Sequence, residues 1–140
     1  MTQSVDSLFE SAIERYKAGE EPKALIPVFK DLCDRTPKSS AAWTCLAWLY
    51  LLEAQPNSAL KAAKTAVKLN PQDPQARVNL VSAMLESGQK GVREHIEIVQ
   101  QILALDAEIR QEIIGNIEDG LTRKPDWKSL MSIQKWLFGN

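Results

Sequence analysis

Ala42-Trp43-Thr44-Cys45-Leu46-Ala47-Trp48-Leu49-Tyr50, followed by Ser58-Ala59 and closed by Leu69-Asn70-Pro71, is the stretch that decides the fold. Its arrangement recurs 34 residues earlier, where Pro37 stands in the place of Pro71. Counting back from Pro71 gives Trp43, Leu46, Ala47, Tyr50, Ala59, Ala63 and Ala66; the same offsets from Pro37 give Phe9, Ala12, Ile13, Tyr16, Leu25, Phe29 and Leu32. Aromatic meets aromatic, apolar meets small or apolar, and the two tyrosines coincide. Within each unit the apolar positions recur at helical spacing, so each unit reads as a pair of helices.

Prolines and glycines place the helix ends. Helix one runs from about Val5 to Ala18, and Gly19 ends it by accepting a left-handed conformation. Pro22 opens helix two, where its missing N–H costs nothing; Pro27 implies a first-turn placement or a slight kink. Helix three spans about Ser40 to Ala54 and helix four about Ser58 to Leu69, with Pro56-Asn57-Ser58 as the turn and source of caps. Alanines 59, 62, 63 and 66 let helix four approach helix three closely, with Trp43 filling the space between them. Asp73-Pro74 is a cap followed by a first-turn proline, so helix five starts there.

This period and pattern resemble the tetratricopeptide repeat (TPR), a helix–turn–helix unit of this length. The resemblance covers about Asp6 to Asp106 and is strongest in the first two repeats. In the third, Arg77 stands where Trp43 and Phe9 are expected, while Leu80, Val81 and Met84 keep the inward pattern. Asn70 to Asp106 is 36 residues, two more than the repeat, so the third unit reads as degenerate with a lengthened turn around Gly88-Gln89-Lys90-Gly91. Past Asp106 the stripe Ile109, Ile113, Ile117, Leu121 makes a seventh helix, and an eighth, capped by Asp126, carries Trp127, Leu130, Ile133 and Leu137. A repeat array exposes the apolar face of its last unit, so these two helices serve as a cap. The expected architecture is all-α: a single domain, 1–140, forming a right-handed superhelix of three repeats (about 6–39, 40–73 and 74–106) with a cap over 107–140.

Composition removes several classes of function. With 44% hydrophobic and 25% charged residues the chain is globular, and a formal net charge of −1 offers no general attraction to nucleic acid or an anionic membrane. No apolar run approaches the roughly 18 residues of a membrane span, and Met1-Thr2-Gln3-Ser4-Val5-Asp6 lacks the pattern of a secretory signal. The expected location is cytoplasmic. Cys33 and Cys45 form no CxxC and accompany no His cluster, so they read as reduced, packed thiols; no metal and no cofactor is expected. His95, the single histidine, has no nucleophile at motif spacing, and the glycines form no phosphate-binding loop. The chain reads as a non-enzyme. Lys61, Lys64 and Lys68 line one face of helix four without interleaved aromatics, a solubilising stripe.

What the resemblance implies is a concave groove, lined by the first helix of each repeat, that holds a peptide or helix of another protein. The groove positions include Glu10 and Glu14 from repeat one, Thr44, Cys45, Trp48 and Leu51 from repeat two, and Gln75, Val78, Asn79, Ser82 and Leu85 from repeat three. Trp48 is the informative one, because Trp43 already takes the core aromatic position and tryptophan is favoured at interface hot spots. Helix seven or eight folding back into the groove would cover it. A TPR subclass grips the carboxylate end of chaperone tails with Lys, Asn, Asn, Lys and Arg; here those positions read Glu10, Glu14, Cys45, Gln75 and Asn79, which repel an acidic tail. The implied role is an adaptor, scaffold or complex-assembly factor whose partner is apolar with basic residues. The alternatives are a self-association module or a regulatory subunit docking through the C-terminal helices, where Trp127, Trp136 and Phe138 form a second candidate surface.

Overall fold

A computed structural model describes residues 4–139, which form eight α-helices and no strand. They are α1 (Val5–Lys17), α2 (Pro22–Arg35), α3 (Ser40–Leu52), α4 (Pro56–Leu69), α5 (Pro74–Glu86), α6 (Val92–Leu105), α7 (Ala107–Arg123) and α8 (Lys128–Phe138). Each helix from α1 to α6 packs on the next, and α3 also packs on α5, as stacked repeats require. None of these helices is long and apolar enough to cross a membrane.

The repeat survives at the level of single hydrogen bonds. The Trp43 indole N–H donates to the Pro37 carbonyl at 2.9 Å; 34 residues on, the Arg77 Nε–H donates to the Pro71 carbonyl at 2.8 Å. Arg77 thus does what the tryptophan does, satisfying the carbonyl before the repeat boundary while its stem lies buried. The degenerate position keeps the bond with a different donor. Positive φ also recurs just after the first helix of each repeat, at Gly19, Ala54 and Gly88. Ala54 holds that conformation (φ 55°) without a glycine, a local strain offset by the turn bond from the Gln55 N–H to the Tyr50 carbonyl. The turn between α5 and α6, residues 87–91, is two residues longer than the 53–55 turn between α3 and α4.

Small residues set the tightest contact. Ala59, Ala62, Ala63 and Ala66 of α4 are all buried, so its axis lies close against α3. Trp43 is half-buried at the edge of the core, held by its bond to Pro37 and bordering a pocket that Ser58, Ala62 and Thr65 of α4 also line. Two helix starts and the placement of one proline differ from the sequence reading. Pro56 is the first residue of α4 and no side chain caps the helix, because Ala54 has already turned the chain. Pro27 lies inside α2, past its first turn. Trp127, not Asp126, occupies the cap position of α8, and there packing fixes the chain where no side-chain cap does.

The core has two parts. One joins α1 to α4 around Leu25, Phe29, Leu32 and Leu49; the other joins α5 to α8 around Val78, Val99, Ile117, Trp127 and Leu130, and reaches back to Leu51 of α3. The stripe Ile113, Ile117 of α7 and Leu130, Ile133 of α8 close the open end of the array.

Candidate functional site

α7 does more than close the end. From its contact with α6 it runs past α5 and α3 to α1, and its second half carries Asn116, Asp119 and Arg123 at spacings of three and four, one helical face. Asp119 accepts a 2.6 Å hydrogen bond from the Tyr16 hydroxyl of α1, and that hydroxyl accepts the Trp48 indole N–H of α3 at 2.8 Å. The Arg123 guanidinium lies 3.8 Å over the Tyr16 ring, donates to the Tyr16 carbonyl at 2.9 Å and pairs with Asp119 at 3.0 Å. Burial raises the Tyr16 hydroxyl well above the ordinary tyrosine range, and its bond to Asp119 adds to the rise, so it stays a protonated donor. Three helices are therefore tied at one point.

A second polar chain ties α7 to α5 and α3. Asn116 Nδ2 donates to Gln75 Oε1 at 3.0 Å, Gln75 Nε2 to Asn79 Oδ1 at 2.8 Å, and Asn79 Nδ2 to the Thr44 carbonyl at 2.9 Å. Between the two clusters lies a hollow of about 150 Å³ with Ile13, Phe29, Cys45, Trp48 and Leu49 as its apolar wall. It opens into a wider trough of about 630 Å³ bordered by Lys17, Ala41, Asp73, Glu112 and Arg123. Thr44 lines both; its hydroxyl is buried and has no hydrogen-bond partner among the described residues.

Of the residues expected in the groove, Thr44, Cys45, Trp48, Gln75 and Asn79 do border this chamber. Glu10 and Glu14 are exposed on α1 and border neither the hollow nor the trough. Leu51, Val78 and Ser82 are fully buried and form no groove floor, because the C-terminal helices cover them. Ser82 contacts Ser129 of α8 at 2.7 Å, and Lys124 donates to the Leu51 carbonyl at 3.0 Å. Trp48 is only half-exposed: its ring centroid lies 4.9 Å from that of Trp127, and Gly120 lets α7 approach it without a side chain between. Trp127, expected on a C-terminal surface, is 1% exposed, its indole N–H held by Glu86 at 2.9 Å and shared with Ser82 and Ser129. Trp136 does face outward at 42% exposure with Met131, whereas Phe138 is half-buried beneath the Arg110 guanidinium.

Tyr16, an inward aromatic of the repeat, packs on the core and also carries the polar contacts, while Asn116, Asp119 and Arg123 lie outside the repeat pattern. A signal for the latter was present: Glu112, Asn116, Asp119 and Arg123 form a polar stripe at steps of four, three and four beside the isoleucine stripe. Cys33 and Cys45 are free thiols, and burial pushes each up to about 12, so both stay protonated at neutral pH. His95 Nδ1 accepts from Arg77 Nη1 at 2.8 Å. Burial first, and the neighbouring guanidinium second, lower its pKa.

No known protein-family model matches this sequence, and no curated protein matches it significantly. Solved structures do resemble it in shape. SycD, the type III secretion translocator chaperone of Yersinia enterocolitica, superposes with a TM-score of 0.69 at 15% identity, over 96% of this chain and 90% of that one. A second structure of SycD, in an alternative dimer, gives 0.68 at 16% identity over 87% and 92%. The first TPR domain of Spaghetti (RPAP3), bound to the HSP90 peptide SRMEEVD, gives 0.57 at 17% identity over 97% and 92%. The chain has a TPR-like helical-repeat fold, the class its period and its eight helices define.

Proposed function

We propose that this chain is a non-catalytic adaptor or complex-assembly factor that holds a segment of a partner protein in the chamber between α1, α3, α5 and α7. The observation that carries the reading is the combination of an open apolar hollow with a buried, unpartnered hydroxyl in its lining. Buried polar groups in folded chains are paired as a rule, so an orphan beside open space fits a site completed by a ligand. The likeness to a secretion chaperone and to a peptide-bound TPR domain supports the same class of role. The peptide SRMEEVD is acidic, whereas Asp73 and Glu112 stand against Lys17 along the trough here, so a partner of the opposite charge suits this chain. Both thiols are held protonated and His95 is engaged by Arg77, which supports a site without nucleophilic or acid–base chemistry.

The test is affinity capture from native lysate on immobilised wild-type chain and on Cys45→Phe, which fills the chamber from its wall. Proteins retained by the wild type and lost from a folded Cys45→Phe support the groove reading; identical capture by both refutes it. A second reading, self-association, is favoured by Met131 and Trp136 standing exposed on α8. Light scattering on wild type and Trp136→Ala decides it: a monomeric wild type removes this reading.

A further inference from the structure

We infer that the chamber is a receptor for one leucine- to phenylalanine-sized side chain of an extended segment of another protein, with lysine or arginine beside that residue. The inference rests on the adaptor reading and names the chemistry of its partner. A hollow of about 150 Å³ with apolar walls is of the size that accepts a benzene-sized group, and it has room for a single anchor. Trp48, Leu49 and Phe29 supply the walls, so the anchor gains by leaving water.

Thr44 selects the conformation of what enters. Its carbonyl is taken by Asn79, yet the residue is buried (7% exposed) and its hydroxyl has no partner among the described residues. An extended chain carries free peptide N–H and C=O groups beside each side chain, whereas a helix interior has spent them on itself. A backbone group of the segment is thus the natural partner for Thr44 once the anchor is seated. The walls agree: α1 and α7 converge on the 2.6 Å bond between Tyr16 and Asp119, which leaves no width there for a helix of about 10 Å.

The rim selects charge. Asp119 and Arg123 neutralise each other, which leaves Asp73 and Glu112 against Lys17 along the trough. The balance is negative, so a basic residue next to the anchor is attracted and an acidic one repelled.

The experiment uses the full chain labelled with ¹⁵N and the blocked peptides acetyl-Lys-Ala-Xaa-Ala-Lys-amide, with Xaa Ala, Leu, Phe or Asp, plus a Leu peptide carrying Glu in place of Lys. The readout is the Trp48 indole N–H, assigned by its loss in Trp48→Phe. The Leu and Phe peptides should move this signal and bind about 10- to 100-fold more tightly than the Ala peptide, from burial of one apolar side chain. The Asp and Glu-flanked peptides should bind no better than the Ala peptide. Thr44→Val, which keeps the shape and removes the hydroxyl, should weaken the Leu peptide roughly five- to tenfold while leaving the melting temperature unchanged or higher. Should Thr44→Val fail to fold, Cys45→Phe serves instead and should abolish the shift. Equal binding of Ala and Leu peptides, binding that leaves the Trp48 signal still, no binding at millimolar concentration, or a Trp48 signal that moves with protein concentration alone (a second copy in the chamber) each overturns the inference. If capture succeeds while peptide selectivity fails, the inference alone falls; if both fail, the adaptor reading falls with it.

Discussion

Two glycines of one helix provide a sharp test of where α7 lies. Gly115 and Gly120 both sit inside α7, where replacing glycine by alanine ordinarily stabilises a protein by about 0.4–1 kcal/mol through the unfolded chain. At Gly115 a new Cβ meets nothing within 4 Å, so Gly115→Ala should show that gain. At Gly120 it would stand 2.7 Å from Trp48 Cζ2, 2.8 Å from Trp48 Cη2 and 2.8 Å from Leu130 Cδ2. The Trp48 ring cannot simply retreat, because Trp127 lies against it at 4.9 Å and Leu130 is itself fully buried. Overpacking of this kind costs about 1–3 kcal/mol, which outweighs the gain. For a chain of 140 residues, 1 kcal/mol corresponds to about 3–4 °C in melting temperature. Thermal denaturation should therefore place Gly115→Ala about 2–3 °C above wild type and Gly120→Ala several degrees below it. If both substitutions raise the melting temperature alike, α7 does not press on Trp48 and the chamber has no fourth wall.

Three further outcomes follow from the same packing. Trp48→Ala should destabilise at least as much as Trp43→Ala, about 3 kcal/mol or more by chemical denaturation, because it opens space beside Trp127 as well as removing its own contacts; a negligible loss would mean an indole free in an open groove. Ala63→Phe should cost more than about 3 kcal/mol or prevent folding, since Ala63 is fully buried in the close seam between α3 and α4; a harmless substitution would show that this seam is misplaced. His95 has its pKa lowered in the fold, so the unfolded chain takes up the proton first. Its contribution is therefore present above the unfolded value of about 6.5 and is lost as pH falls through the lower folded value. The melting temperature should decline over that window, and His95→Gln should flatten the decline; an unchanged pH profile in the variant would remove His95 as its source.

The start of α5 was legible because Asp73-Pro74 is a local signal whose physics does not depend on the rest of the chain. The start of α4 was misread for the converse reason. Pro56-Asn57-Ser58 is turn chemistry by composition, but Ala54 in a left-handed conformation had already made the turn. Half of the candidate site was equally legible: Thr44, Cys45, Trp48 and Asn79 follow from the family resemblance mapped through the repeat register. Tyr16 was not, since the register that makes it an inward aromatic says nothing of the Asp119 that meets it 103 residues later.

The sequence by itself determined the repeat, because a 34-residue period of apolar and small residues admits helix pairs that bury their faces only by stacking. The Trp43–Pro37 and Arg77–Pro71 bonds, each spanning six residues across the boundary between successive repeats, are local in the same sense. Only the tertiary structure decided what happens to the concave face. The isoleucine stripe of α7 says that the helix must bury one side, but its direction across the array is fixed by distant partners: Gly120 against Trp48, Asp119 and Arg123 on Tyr16, Asn116 on Gln75. Those contacts join residues separated by 41 to 107 positions. No periodicity encodes a contact of that range, so whether Trp48 and Trp127 were surface or core lay beyond the pattern and in the packing.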